Sequence, residues 1–70
     1  MKRITDLELK ELPLGSVIKV VWSSPDNHTP SEEYCGVVFA DKIGYEDGKV
    51  DNINTIAEAV YNNFCMVYLM

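Results

Sequence analysis

The chain has few basic residues, few cysteines and no long apolar run. Six Lys and Arg stand against 11 Asp and Glu in 70 residues, a formal net charge of −5 with the one histidine neutral. The basic residues are scattered, which argues against direct binding of nucleic acid or an anionic membrane, since both begin from clustered Lys and Arg. No stretch approaches the roughly eighteen uncharged residues of a membrane span. Residues 1–12, MKRITDLELKEL, alternate charges with Ile and Leu and hold no signal-peptide core. The expectation is a soluble, cytoplasmic protein. Without a secretory signal, Cys35 and Cys65 read as buried thiols rather than as a disulfide.

The residues of common catalytic and metal sites are equally sparse. His28, Cys35 and Cys65 are the only soft ligands, with no CxxC or HxxxH pair, and the turn YEDGKVDN lacks the ordered acidic series of a calcium loop. No metal or other cofactor is expected. His28 shares a polar loop with Ser23, Ser24, Asp26 and Ser31, but a nucleophile needs a base held rigidly within hydrogen-bond reach, which such a loop does not promise. Glycines at 15, 36, 44 and 48 are too far apart for a phosphate-cradling loop. Asn27-His28-Thr29 matches a glycosylation sequon but has no secretory context. The expectation is that the protein is not an enzyme.

What the sequence does have is apolar surface. At 47% apolar residues, the chain is set to fold as a single domain over residues 1–70 rather than remain disordered. Small domains bury only about 60% of the surface their unfolded chains expose, so a partner or a second copy would relieve a shortage of cover.

Local signals place the elements. Thr5 and Glu8 form T-x-x-E, flanked by Ile4 and Leu9 at the positions of a hydrophobic staple, and Pro13 with Gly15 stops the run, predicting a short helix over 5–12. SVIKVVWS, from Ser16 to Ser23, is β-branched and apolar on both faces, as a strand. Ser24 to Glu32 holds Pro25 and Pro30 among small polar residues and reads as a loop. EYCGVVFA, from Glu33 to Ala40, is a second strand, with Gly36 marking a bend. Asp47-Gly48 between Ile43, Tyr45 and Val50 resembles a hairpin turn. Ile53, Ile56, Ala57, Val60, Tyr61 and Phe64 recur at helical spacing, with Asn52, Asn54 or Thr55 as competing starts. The final CMVYLM reads as a strand.

These pieces predict an α+β fold: a small, mainly antiparallel sheet of three to four strands, an amphipathic helix over about 53–64 on one face, and a short N-terminal helix. The alternative is a small SH3-like or curled β-barrel with helices. If the helix covers Ile18, Val20, Trp22, Cys35, Val37 and Phe39, then Val17, Val21, Tyr34, Val38, Met66 and Tyr68, with Met70, are left outside, too apolar for solvent alone. A second candidate surface is the acidic stretch Asp41, Glu46, Asp47, Asp51 and Glu58, which either faces a basic surface on a target or simply keeps a turn solvated. The function expected is stoichiometric binding of another protein by a small acidic adaptor, modulator or inhibitor of the kind phages and mobile elements encode. The partner is a foreign protein, a second copy of the chain, or both. A homo-oligomeric enzyme or small-ligand sensor with its site at a subunit interface, and a purely structural homo-oligomer, are the competing classes.

Overall fold

A computed structural model describes residues 1–22 and 32–70. The readings placed on Ser23, Ser24, Pro25, Asp26, the Asn27-His28-Thr29 sequon, Pro30 and Ser31 lie outside the described residues. The elements are β1 (Lys2–Ile4), α1 (Asp6–Lys10), β2 (Val17–Trp22), β3 (Glu32–Phe39), β4 (Lys42–Tyr45), β5 (Val50–Asn52), α2 (Ile53–Tyr61) and β6 (Cys65–Leu69). The fold is α+β as expected, but the sheet has six strands in the order β1-β6-β2-β3-β4-β5, all antiparallel, rather than three or four. The order leaves β1 and β5 as separate edges, so the sheet among the described residues is open and not a closed barrel.

The two helices start where local chemistry requires. The Thr5 side chain accepts from the Glu8 N–H at 3.2 Å and the Glu8 carboxylate accepts from the Thr5 N–H at 3.1 Å, a complete capping box for α1. That backbone bond, with Lys2 3.6 Å away, holds the Glu8 carboxyl below its usual range. Ile4 and Leu9 on either side of the cap are both buried in the core, as a staple demands. In α2 the cap is Asn52, whose side chain accepts from the Asn54 N–H at 2.9 Å.

Helix α2 is shorter than its apolar spacing implies. After Tyr61 the chain closes in a Schellman motif: Phe64 N–H donates to the Ala59 carbonyl at 2.9 Å and Asn63 N–H to the Val60 carbonyl at 3.1 Å, with Asn63 left-handed at φ 62. Ile53, Ile56 and Ala57 are buried, whereas Tyr61 and Phe64 are exposed and leave the core stripe. Both helices lie over one face of the sheet, where Leu9, Ile56 and Ala57 close a core shared with Ile18, Val20, Val38, Ile43, Cys65 and Val67.

Strand register decides which side chains reach that core. Ile18, Val20 and Trp22 stand opposite Leu69, Val67 and Cys65 on β6, and opposite Gly36, Tyr34 and Glu32 on β3. The expected assignment of β3 is therefore reversed: Tyr34 and Val38 point to the helix side, and Cys35, Val37 and Phe39 to the uncovered side. Gly36 supplies the reason. A Cβ there would lie 2.6 Å from the Ile43 Cγ2 and 3.0 Å from the Tyr45 ring, so Gly36 is the gap through which these side chains pack. The residue read as a bend is a close-approach site.

Candidate functional site

Two surfaces draw attention, one on each side of the sheet. On the uncovered side, Val17 pairs with Val37, Val37 with Gly44 and Gly44 with Val50, so their side chains form one row across β2, β3, β4 and β5. Met70, just past β6, donates its N–H to the Val17 carbonyl at 3.0 Å and extends the row. With strands about 4.8 Å apart, the row is about 19 Å long. Phe39 lies over Gly44, its ring 2.9 Å from where a Cβ would sit, and fills the gap that the glycine leaves. Val17, Val37, Phe39, Val50 and Met70 are all exposed.

The rest of that face is better sealed. Val21 is buried, Met66 and Tyr68 are half-buried, and the Tyr68 hydroxyl lies 3.7 Å from the Met66 sulfur. Lys19 crosses to Glu33 at 3.3 Å, an ion pair spanning β2 and β3. Of the apolar residues expected on the outer face, Val17, Val21, Met66, Tyr68 and Met70 are on it, and of these only Val17 and Met70 are exposed. Tyr34 and Val38 belong to the opposite face, with Val38 inside the core. The sequence reading missed Val37, Phe39 and Val50. All three follow once β3 is placed with Gly36 toward Ile43.

The second surface is a cavity of about 380 Å³ lined by Trp22, Glu32, Tyr34, Tyr45, Asp47, Lys49, Val50 and Asp51. It forms where the end of β2, the start of β3 and the β4–β5 turn meet. In that turn Gly48 takes φ +88, its N–H donates to the Tyr45 carbonyl at 3.0 Å, and the Asp47 carboxylate accepts from the Lys49 N–H at 3.0 Å. The Tyr34 and Tyr45 rings meet at 5.9 Å between centroids and 59° between planes. Tyr34 donates to the Glu32 carboxylate at 2.8 Å, a bond that pushes the phenol above its ordinary range. The Tyr45 hydroxyl is buried and has no hydrogen-bond partner within reach among the described residues. Burial first, and the neighbouring Asp51 carboxylate second, hold it protonated far above the usual tyrosine range.

The acidic stretch does not gather into one patch. Asp47 and Asp51 share the cavity, joined there by Glu32 from β3. Glu46 lines a separate groove with Val17, Cys35 and Val37. Asp41 sits at the other end of β4, where its carboxylate accepts from the Lys42 ammonium at 3.1 Å, and that bond lowers its pKa. Glu58 lies on α2 beside Asp6, Lys10 and Tyr61.

Neither cysteine pairs with the other. Cys35 and Cys65 project to opposite faces of the sheet and are both free. Cys35 is half-buried, while Cys65 is buried with its thiol 3.8 Å from the Ile56 carbonyl, and burial pushes it up to about 11. Among the described residues, no group of three or more His, Cys, Asp or Glu is placed to hold a metal ion. No helix among them is long and apolar enough to cross a membrane. Comparison with protein-family models, curated proteins and solved structures finds no match to this chain.

Proposed function

We propose that the protein acts by stoichiometric binding of another protein, as an adaptor, modulator or inhibitor, through the uncovered face of its sheet. The observation that carries this reading is the continuous row Met70, Val17, Val37 and Val50 with Phe39 on Gly44, whose five large apolar side chains stay exposed while both helices pack on the other face. A contiguous apolar surface of this kind typically marks an interaction site. A foreign partner is favoured over a second copy because each copy carries a net charge of −5, which opposes self-association.

The experiment is retention of host proteins on the immobilised chain, compared with its Val37→Lys variant, together with sedimentation of the free chain. A defined protein held in equimolar amount by the native chain and lost from the variant, with thermal unfolding of the two chains unchanged, is the expected outcome. Equal retention by both rules out the sheet face. A chain that sediments as a fixed oligomer and retains only itself points to the structural homo-oligomer instead.

A further inference from the structure

The cavity on the helix side of the sheet has a chemistry unlike that of the apolar row, and its assignment does not depend on the row being a docking face. We infer that it binds a cationic side chain, the ammonium of a lysine or the guanidinium of an arginine, carried on an extended segment of a partner protein. Three aromatic rings, Trp22, Tyr34 and Tyr45, line it together with three carboxylates, Glu32, Asp47 and Asp51. Aromatic faces attract cations within about 6 Å of the ring centroid. The Tyr34 and Tyr45 rings are inclined at 59° rather than stacked, so they form a corner rather than a parallel stack. Among the described residues the carboxylates outnumber the one cation of the lining, Lys49.

Lys49 is the internal competitor for the site, and it is weakly held. Its ammonium lies 3.9 Å from Asp47 with 79% of the side chain exposed, so an incoming cation has little to displace. The volume, about 380 Å³, lies within the roughly 300–1,000 Å³ of ligand pockets and leaves room for the chain that bears the cation. A peptide fits better than a free amine because β3 pairs with β4 only from Gly36 onward. Among the described residues, no strand borders that edge of β3 from Glu32 to Cys35. An extended segment laid along that edge gains backbone hydrogen bonds while its basic side chain turns into the cavity.

The one tryptophan of the chain lines this cavity, so Trp22 fluorescence reports its occupancy. The probe is a capped peptide of alternating Val and Lys, with two controls: the same peptide carrying Glu for Lys, and n-butylammonium. The lysine peptide is expected to give a saturable change that weakens as salt is raised. Asp51→Asn and Asp47→Asn are each expected to reduce its affinity about fivefold, and Lys49→Ala to tighten it about twofold. Asp47→Asn keeps a side-chain oxygen for the Lys49 N–H, so the turn persists and this variant decides the matter should Asp51→Asn lose the fold. The inference is overturned by the absence of a saturable response, by an equal response to the glutamate peptide, or by Asn variants that fold and bind as the native chain does. Equal binding of n-butylammonium overturns the peptide assignment in favour of a free amine. Failure here leaves the sheet-face reading intact, because Val37→Lys changes the other face; loss of partner retention in that variant with an unchanged lysine-peptide response separates the two.

Discussion

On the helix side of the sheet, Ile18, Val20, Val38, Ile43 and Val67 are at most 1% exposed, while on the opposite side Val17, Val37, Phe39 and Val50 are 44–50% exposed. The strands that carry the two sets are largely the same and similarly apolar. What separates them is cover: α1 and α2, with Leu9, Ile53, Ile56 and Ala57, seal one face and nothing among the described residues seals the row on the other. Strands buried on one side normally turn polar residues outward. Here β2 and β3 do so only at Lys19 and Glu33, which neutralise each other. The apolar content of the uncovered strands therefore exceeds what this fold uses for its own stability.

The same charge placed on each face has opposite consequences. A domain of this size holds about 4–10 kcal/mol of total stability, and a carboxylate buried without a partner costs several kcal/mol. Val20→Asp is therefore expected to leave the chain unfolded, as read by circular dichroism. Val37→Asp, on an exposed position, is expected to shift stability by less than about 1 kcal/mol in urea titration. Unfolding by both variants would mean that the uncovered face is sealed in the native protein.

A glycine faces each side, and a methyl added at either has a smaller effect than a buried charge. Gly36 looks to the helix side, where an added methyl meets Ile43, Tyr45 and the Gly44 carbonyl; Gly44 looks to the open side, where it meets only the Phe39 ring. Overpacking a closed core costs about 1–3 kcal/mol. Gly36→Ala is expected to lower the melting temperature by about 4–8 °C for each kcal/mol lost. In Gly44→Ala the Phe39 ring swings outward, and the melting temperature is expected to stay within about 3 °C of the native value. An equal loss from both would show that Phe39 is as tightly packed as Ile43.

These same positions explain what the sequence disclosed and what it hid. Thr5, Glu8, Ile4 and Leu9 are read directly because capping and stapling are local, and Ile53, Ile56 and Ala57 because one helix face has a period of its own. Residues 33–40 carry no such signal. Apolar side chains alternate with other apolar side chains, so the period of two is silent, and a slip of one residue exchanges the faces. What fixes the register is the fit of Ile43 and Tyr45 against Gly36, a contact between strands. Charged Lys2 and Arg3 conceal β1, which forms only because β6 offers an edge. Of the cavity lining, the sequence offers Asp47 and Asp51 on one candidate surface and Tyr34 on another, because Trp22, Glu32 and Tyr34 reach it from elements that no local pattern brings together.

The β3–β4 connection holds this arrangement in place and gives the smallest test of it. Phe39 pairs with Lys42 across a two-residue loop, Ala40 and Asp41, and Ala40 adopts φ 50. A left-handed alanine costs about 1–2 kcal/mol, a conformation that glycine reaches freely. The loop carries no Asn-Gly or Asp-Gly, so nothing in its own sequence asks for this geometry; the pairing of Val38 with Ile43 on one face and of Val37 with Gly44 on the other imposes it. Ala40→Gly is expected to relieve that strain, in part offset by the greater freedom of glycine in the unfolded chain, and to raise stability by about 0.5–1 kcal/mol in urea titration. A loss of stability instead would mean that the loop is relaxed with alanine in place, and that the two faces of β3 are set by the cross-strand contacts of Gly36 with no strain carried at the turn.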